Sequence, residues 1–394
     1  MGRSGHKLLI LLCFIPLVGR GQVTTQKSLD VLQLVSGKDA LVDEVLALKD
    51  SFRLQFSFTK ITFKDNFPVF EHDYLNTGAY FYPASTVKLP IALLTIEKMN
   101  RLGLRLDDAL VLHADFSCGS LKYIEKTQPA GVTFRKMLEE MLIVSDNEYY
   151  SVLFHFLKPK EIFQRLAELG YSGVHIFRAL NGCELEGQLK TNSCEVFRDS
   201  VRVYQQTTEI LPLSWLAQMY TYDEEKLLGV QHEYRGEIVN GPYDFNYNLE
   251  LPLGVLHDMH LHMIYPPAFP TRSRWAITPE QRDFIMDCLR HYPRELPNEV
   301  YHNKRKYPDN YYKYFLIGEE ENPERSTVSK IGLSYGFTTE TAFVDCGNGC
   351  AMLMTVSMYT NANNIVNDGK YEYETLARPF LSRLGKILVE NLSK

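Results

Sequence analysis

Two metal signatures are missing from this chain of 394 residues: it has no Cys-x-x-Cys and no His-Glu-x-x-His. Neither a metal nor a cofactor is therefore expected. An excess of positive charge is missing as well. The 42 Lys and Arg are outnumbered by 48 Asp and Glu, giving a net charge of −6 and a pI near 6.0. That removes the electrostatic basis for binding nucleic acid. No apolar run beyond residue 18 is long and uncharged enough to span a bilayer, and no internal repeat suggests a solenoid. What is present is ample core material: 45% of residues are hydrophobic and 23% charged, with 24 Tyr and 22 Phe. Such a composition favours packed surfaces or a substrate groove over disorder. The length allows several domains, or one domain interrupted by another.

The first 21 residues read as a secretory signal. Arg3, His6 and Lys7 form a basic end, Leu8 to Val18 a short apolar run, and Gly19-Arg20-Gly21 a cleavage region before Gln22. The expected location is periplasmic or secreted. Cys13 follows Leu11-Leu12 rather than small residues, which argues against a lipid anchor there. Six cysteines follow: Cys118, Cys183, Cys194, Cys288, Cys346 and Cys350. In an exported protein these can pair, with Cys346/Cys350 and Cys183/Cys194 as candidate bridges, or remain buried thiols.

Along the chain, Val31 to Lys49 shows helical periodicity, and Phe52 to Phe63 and Pro68 to Leu75 read as two strands around a Lys64-Asp65-Asn66 turn. An apolar helix follows Ser85. Residues 100–200 read as mainly helical, including 134–144 (capped by Thr133), 147–156 and 161–169. A helix is also expected over 211–228 and another over 280–291. Three strands are expected near 327–335, 341–346 and 351–359, and a closing helix over 373–392. The fold class expected is therefore α/β (α+β), an antiparallel sheet flanked by helices with an inserted all-helical lobe. The α/β lobe would comprise about 30–90 and 255–394, and the helical lobe about 91–250, all within one domain at 22–394. A cleft would lie where the lobes meet.

The chemistry centres on residues 81–99. Ser85 and Lys88 sit at i and i+3 at the start of the apolar helix, so the amine can reach the hydroxyl. A serine hydroxyl needs a base, and a buried lysine of depressed pKa supplies one. Ser-x-x-Lys alone is weak, because Ser4/Lys7 and Ser57/Lys60 also match. Two further motifs single out Ser85: Ser145-Asp146-Asn147 between two helices, and Lys330-Ile331-Gly332 on the first terminal strand. Gly332 would leave the strand edge open to a ligand, and Lys330 would offer charge to a carboxylate.

Ser-x-x-Lys, Ser-Asp-Asn and Lys-x-Gly in this order resemble the β-lactamase and penicillin-binding protein superfamily, specifically the class A β-lactamase-like serine hydrolases. Ser145 follows Ser85 by 60 residues, as the resemblance leads one to expect. The likeness covers about 30–390, with extra residues at about 185–250. It implies Ser85 as acylated nucleophile, Lys88 as its base or proton relay, and Ser145 as proton donor to the leaving nitrogen. Asn147 would bind the substrate amide and hold Lys88, and Lys330 would bind the carboxylate. The backbone N–H groups of Ser85 and Leu333 would form the oxyanion hole. The implied partner is a β-lactam or peptidoglycan-like peptide, met by a monomer. The alternatives are a D-Ala-D-Ala-type peptidase or cell-wall amidase, and a non-hydrolytic penicillin-binding protein.

Two departures stand out. Ile331 replaces a hydroxyl residue, with Ser329 or Ser334 as possible substitutes. Four residues before Asn181, where the family's deacylating glutamate is expected, stands Phe177. Glu184 and Glu186 lie nearby but are expected at the surface. Acylation should therefore proceed while deacylation is impaired.

Overall fold

The computed structural model describes residues 29–76, 78–116, 130–180, 182–321, 323 and 326–393. The signal reading, Cys13, Cys118 and Asn181 lie outside them. Two short helices come first, α1 (Val31–Val35) and α2 (Ala40–Ala47). The single periodicity seen over this stretch is broken because Gly37 takes φ 71° and Asp39 caps a new helix, accepting from the N–H groups of Leu41 and Val42.

Strands β1 (Gln55–Lys64) and β2 (Phe67–Leu75) form a hairpin whose turn residues, Asp65 and Asn66, both have positive φ. A 3-10 turn at Ala84–Val87 leads into α3 (Lys88–Leu102). Every residue of α3 from Lys88 to Met99 is buried, as befits a helix with neighbours on all sides. Its internal charges are paired. Glu97 receives two bonds from Arg165, and Lys98 lies 3.1 Å from Glu161.

The middle of the chain contains β3 (Ala109–Leu112), β4 (Val132–Thr133), α4 (Phe134–Ile143), α5 (Asn147–Leu157) and α6 (Pro159–Glu168). Thr133 caps α4 as expected. Strands β5 (Cys194–Arg198) and β6 (Val201–Gln206) complete a four-stranded sheet of order β4-β3-β5-β6, so this block is not purely helical. Helix over 211–228 is confined to Leu213–Ala217, after which the chain turns to short strands. A hairpin of Gln231–Tyr234 and Glu237–Asn240 follows, closed by Arg235-Gly236 at positive φ.

Helices α7 (Leu253–Ile264) and α8 (Pro279–Arg290) precede β7 (Val328–Ser334), β8 (Phe337–Gly347) and β9 (Cys350–Tyr359). Thr278 and Gln281 form a capping box on α8. After a π-helical turn at Tyr373–Ala377, α9 (Arg378–Leu392) ends the chain's described structure.

Strands from both ends of the sequence join one antiparallel sheet, order β7-β8-β9-β1-β2. One face packs on α1, α2 and α9 through Phe56, Ile331, Met354, Phe380 and Leu388. The larger core, including Val87, Leu93, Phe134 and Phe154, fills the space on the helical side. Both candidate disulfides fail. Cys194, Cys346 and Cys350 are not disulfide-bonded, whereas Cys183 is disulfide-bonded to another residue. Among the described residues no helix is long and apolar enough to cross a membrane.

Candidate active site

The 3-10 turn holds Ser85 half-buried just ahead of the α3 N-terminus, where free N–H groups and the helix dipole favour negative charge. One helical turn later, Lys88 is fully buried. Its Nζ lies 3.0 Å from Ser85 Oγ, 3.0 Å from Ser145 Oγ, 2.5 Å from the Ser145 carbonyl and 2.6 Å from Asn147 Oδ1. The two carbonyl oxygens can only accept. A neutral amine would give them its two N–H bonds and keep its lone pair for a hydroxyl proton. Burial, reinforced by Lys330 and opposed by Asp146, holds the Lys88 pKa well below its usual value. The amine is thus arranged to act as a base.

Ser145 stands between α4 and α5 in the left-handed region, φ 58°. Asp146 follows and caps α5, accepting from Tyr149 N–H. This sharp turn brings the Ser145 hydroxyl between two lysines, since Lys330 Nζ is also 3.0 Å from it. Lys330 donates to the Ile331 carbonyl at 3.1 Å and lies 6.0 Å from the centre of the Tyr312 ring. Burial and the nearby Lys313, opposed by Glu340, lower its pKa to about 7.

Strand β7 lies at the sheet edge beside the Ser85 turn. A Cβ on Gly332 would fall 2.6 Å from both the Pro83 carbonyl oxygen and Ser85 N. The absence of a side chain at Gly332 thus makes room for the Ser85 turn. Tyr335-Gly336 close the β7–β8 hairpin, both at positive φ, and pair Ser334 with Phe337. In such a two-residue turn Ser334 and Phe337 exchange hydrogen bonds, so the N–H of Leu333 points away from β8. It faces the same edge as Ser85. Replacing Gly332 by Ala should cost about 1–3 kcal/mol of stability and lower any acylation at Ser85 more than tenfold. Urea unfolding and stopped-flow acylation measure the two effects.

Ile331 faces the opposite side and is buried in the α9 core, which accounts for an apolar residue in the middle of this motif. Ser329 shares that side and is bonded to Thr327, so it is not available at the site. Ser334 shares the face of Lys330 by strand alternation. Phe177 is 1% exposed in a separate apolar cluster with Leu189, Leu211, Leu216 and Tyr220. Glu184 and Glu186 are exposed, and Glu184 pairs with Arg235.

Sequence reasoning passed over the supports of this centre. Buried Lys313 donates to the Leu289 and Thr327 carbonyls, while Glu340 accepts from the N–H groups of Tyr314 and Phe315. Tyr82 and Tyr243 pack on Tyr335 with ring centres 5.1 and 5.2 Å apart. The tyrosine content was a signal for such a wall, although nothing local marked these particular rings.

Residues 53–220, which contain Ser85, Lys88 and the Ser145-Asp146-Asn147 turn, match the Beta-lactamase enzyme family. The TLA-3 extended-spectrum beta-lactamase is similar in structure at 13% identity and TM-score 0.47, covering 91% of this chain and 100% of that one. A class A beta-lactamase from Bacteroides cellulosilyticus shows 11% identity and TM-score 0.49 over 93% and 99% of the two chains. For a beta-lactamase from Burkholderia ambifaria the figures are 13%, 0.48, 88% and 97%. No curated protein matches the chain. Over residues 53–220 the chain is thus similar to the Beta-lactamase enzyme family, and its terminal strands join in one antiparallel sheet beside a largely helical block.

Proposed function

We propose that this protein is an exported acyl-serine hydrolase acting on β-lactams or related amides, with slow deacylation. The observation that carries the reading is the position of Lys88 Nζ, 3.0 Å from both the Ser85 and Ser145 hydroxyls. Lys88 takes the Ser85 proton as Oγ attacks the amide carbonyl. The N–H groups of Ser85 and Leu333 receive the developing oxyanion. Ser145, between the two lysines, passes a proton to the departing nitrogen, and the acyl group remains on Ser85 as an ester. Asn147 orients the substrate amide, and Lys330 holds its carboxylate.

Slow release is supported by Phe177, whose ring is enclosed where a glutamate was sought. The disulfide at Cys183 supports export, since such bonds persist in oxidising compartments. Incubation with a penicillin should give a stoichiometric, long-lived mass increase on Ser85, absent in Ser85→Ala. Unmodified protein together with no nitrocefin turnover would sink the β-lactam reading.

A pH dependence follows from Lys330. Below about pH 7 it is an ammonium; above that it loses the charge that would bind a carboxylate. The second-order acylation rate constant for a carboxylate-bearing β-lactam should fall up to about tenfold per pH unit above that value. The methyl ester of the same compound should lack this descending limb. Identical profiles for acid and ester would remove Lys330 from the carboxylate site.

A further inference from the structure

Lys330, the proposed partner of the substrate carboxylate, is 1% exposed. Two of its N–H groups go to Ser145 Oγ at 3.0 Å and to the Ile331 carbonyl at 3.1 Å. The ammonium also lies over the Tyr312 ring, 6.0 Å from its centre. An ammonium has three N–H donors, so the ring stands where a carboxylate oxygen would take the third. We propose that Tyr312 is a specificity-determining residue, whose ring holds the carboxylate's place on Lys330 and is turned aside when substrate binds. This role rests on Lys330 being the carboxylate site of the proposed hydrolase.

The movement is confined to the side chain, because the backbone is pinned on both sides of Tyr312. Before it, Asn310 Nδ2 donates to the carbonyls of Gly318 and Glu320 at 2.9 and 2.8 Å. After it, Lys313 donates to the Leu289 and Thr327 carbonyls, and Glu340 accepts from the N–H groups of Tyr314 and Phe315. Opening the whole segment would break these largely buried bonds. The ring itself is freer. It is half-buried, and it meets exposed Tyr311 edge-on with ring centres 3.9 Å apart. A change of χ1 rotamer can therefore carry it towards solvent while the main chain stays in place.

The exchange has a chemical sense. A ring face attracts an ammonium without bearing a charge, so it shields the buried cation but yields to a carboxylate, the stronger partner. A ligand without a carboxylate offers nothing in return and leaves the ring on Lys330. Tyr312 thus sets a threshold that only an anionic group at this point crosses.

Two measurements at pH 6, where Lys330 is charged, test the role. The first needs no reaction at Ser85. The full chain carrying 3-fluorotyrosine, with the Tyr312 signal identified by Tyr312→Phe, is titrated with sodium acetate and with acetamide at matched ionic strength. Acetate should shift that signal saturably, and acetamide should leave it in place. The second follows acylation of Ser85 by a carboxylate-bearing penicillin and by its methyl ester. Tyr312→Ala should raise the second-order rate constant for the acid at least tenfold and leave the ester within threefold. Tyr312→Phe keeps the ring and should stay within threefold of the wild type on both. A merely structural role would slow both substrates alike. A Tyr312 signal indifferent to acetate, or equal changes for acid and ester in Tyr312→Ala, would overturn the assignment. An acetate shift without acylation by either penicillin would support the place of Tyr312 and overturn the β-lactam reading alone. The first measurement decides the matter on its own where Tyr312→Ala does not fold.

Discussion

Replacing Lys88 by Met should lower acylation of Ser85 by about 10³-fold while leaving the fold intact. Methionine is close to lysine in length and accepts burial, so the space lined by α3 and the Ser145 turn stays filled. What disappears is the lone pair beside the Ser85 hydroxyl, along with the two N–H bonds that hold the Ser145 carbonyl and Asn147. Stopped-flow mixing with nitrocefin and intact-mass measurement of Ser85 adducts would follow the loss. Acylation within tenfold of the wild type would mean that another group takes the proton.

The same variant carries a stability signature. Lysines in the unfolded chain keep their protons to about pH 10.4, whereas folded Lys330 and Lys313 give theirs up near 7 and 8, and Lys88 also well below its usual value. Between these limits the unfolded state binds more protons at these lysines, so wild-type stability should rise as pH increases from about 7 to about 8.5, below the range in which unfolded thiols and phenols ionise. It is lost as pH falls through the folded pKa values. Lys88→Met removes one contributor and should flatten the slope. A slope identical in variant and wild type would show that Lys88 is an ordinary ammonium in the folded protein.

Phe177→Glu should not speed deacylation, and it should cost about 3 kcal/mol or more of stability. The sequence position invites this substitution as a repair. The packing forbids it, because the Phe177 ring is enclosed by Leu189, Leu211, Leu216 and Tyr220 and meets Tyr220 edge-on at 5.4 Å. A carboxylate enclosed by that cluster would either force it open or be protonated. Phe177→Leu is the control, with a loss near 1 kcal/mol. Urea unfolding and the lifetime of the Ser85 adduct provide the readouts. A stable Phe177→Glu protein with rapid turnover would place this residue at the site after all.

These expectations show how far the sequence could be read. The Ser85-x-x-Lys88 spacing needed only helix geometry, and contacts three residues apart are set locally. The terminal strands and α8 were legible for similar reasons, through alternation and a Thr-Pro start. The split between α1 and α2 was missed because apolar periodicity continues across Gly37, where the backbone breaks. The 211–228 helix was over-read since short apolar runs fit a strand or a helix equally well. Cysteine spacing suggested two bridges, but spacing cannot decide pairing, and Cys194, Cys346 and Cys350 keep reduced thiols, which excludes both.

By itself the sequence determined the three polar motifs, their order, and a helix start able to bring Lys88 to Ser85, because these depend on residue identity and local geometry. Only the tertiary structure decided that Ser145 bridges Lys88 and Lys330, residues separated by 242 positions. It alone decided that Gly332 yields to the Ser85 turn and that Ile331 and Phe177 belong to apolar cores. Their roles depend on which surfaces meet, and long-range packing leaves no local pattern from which to read that.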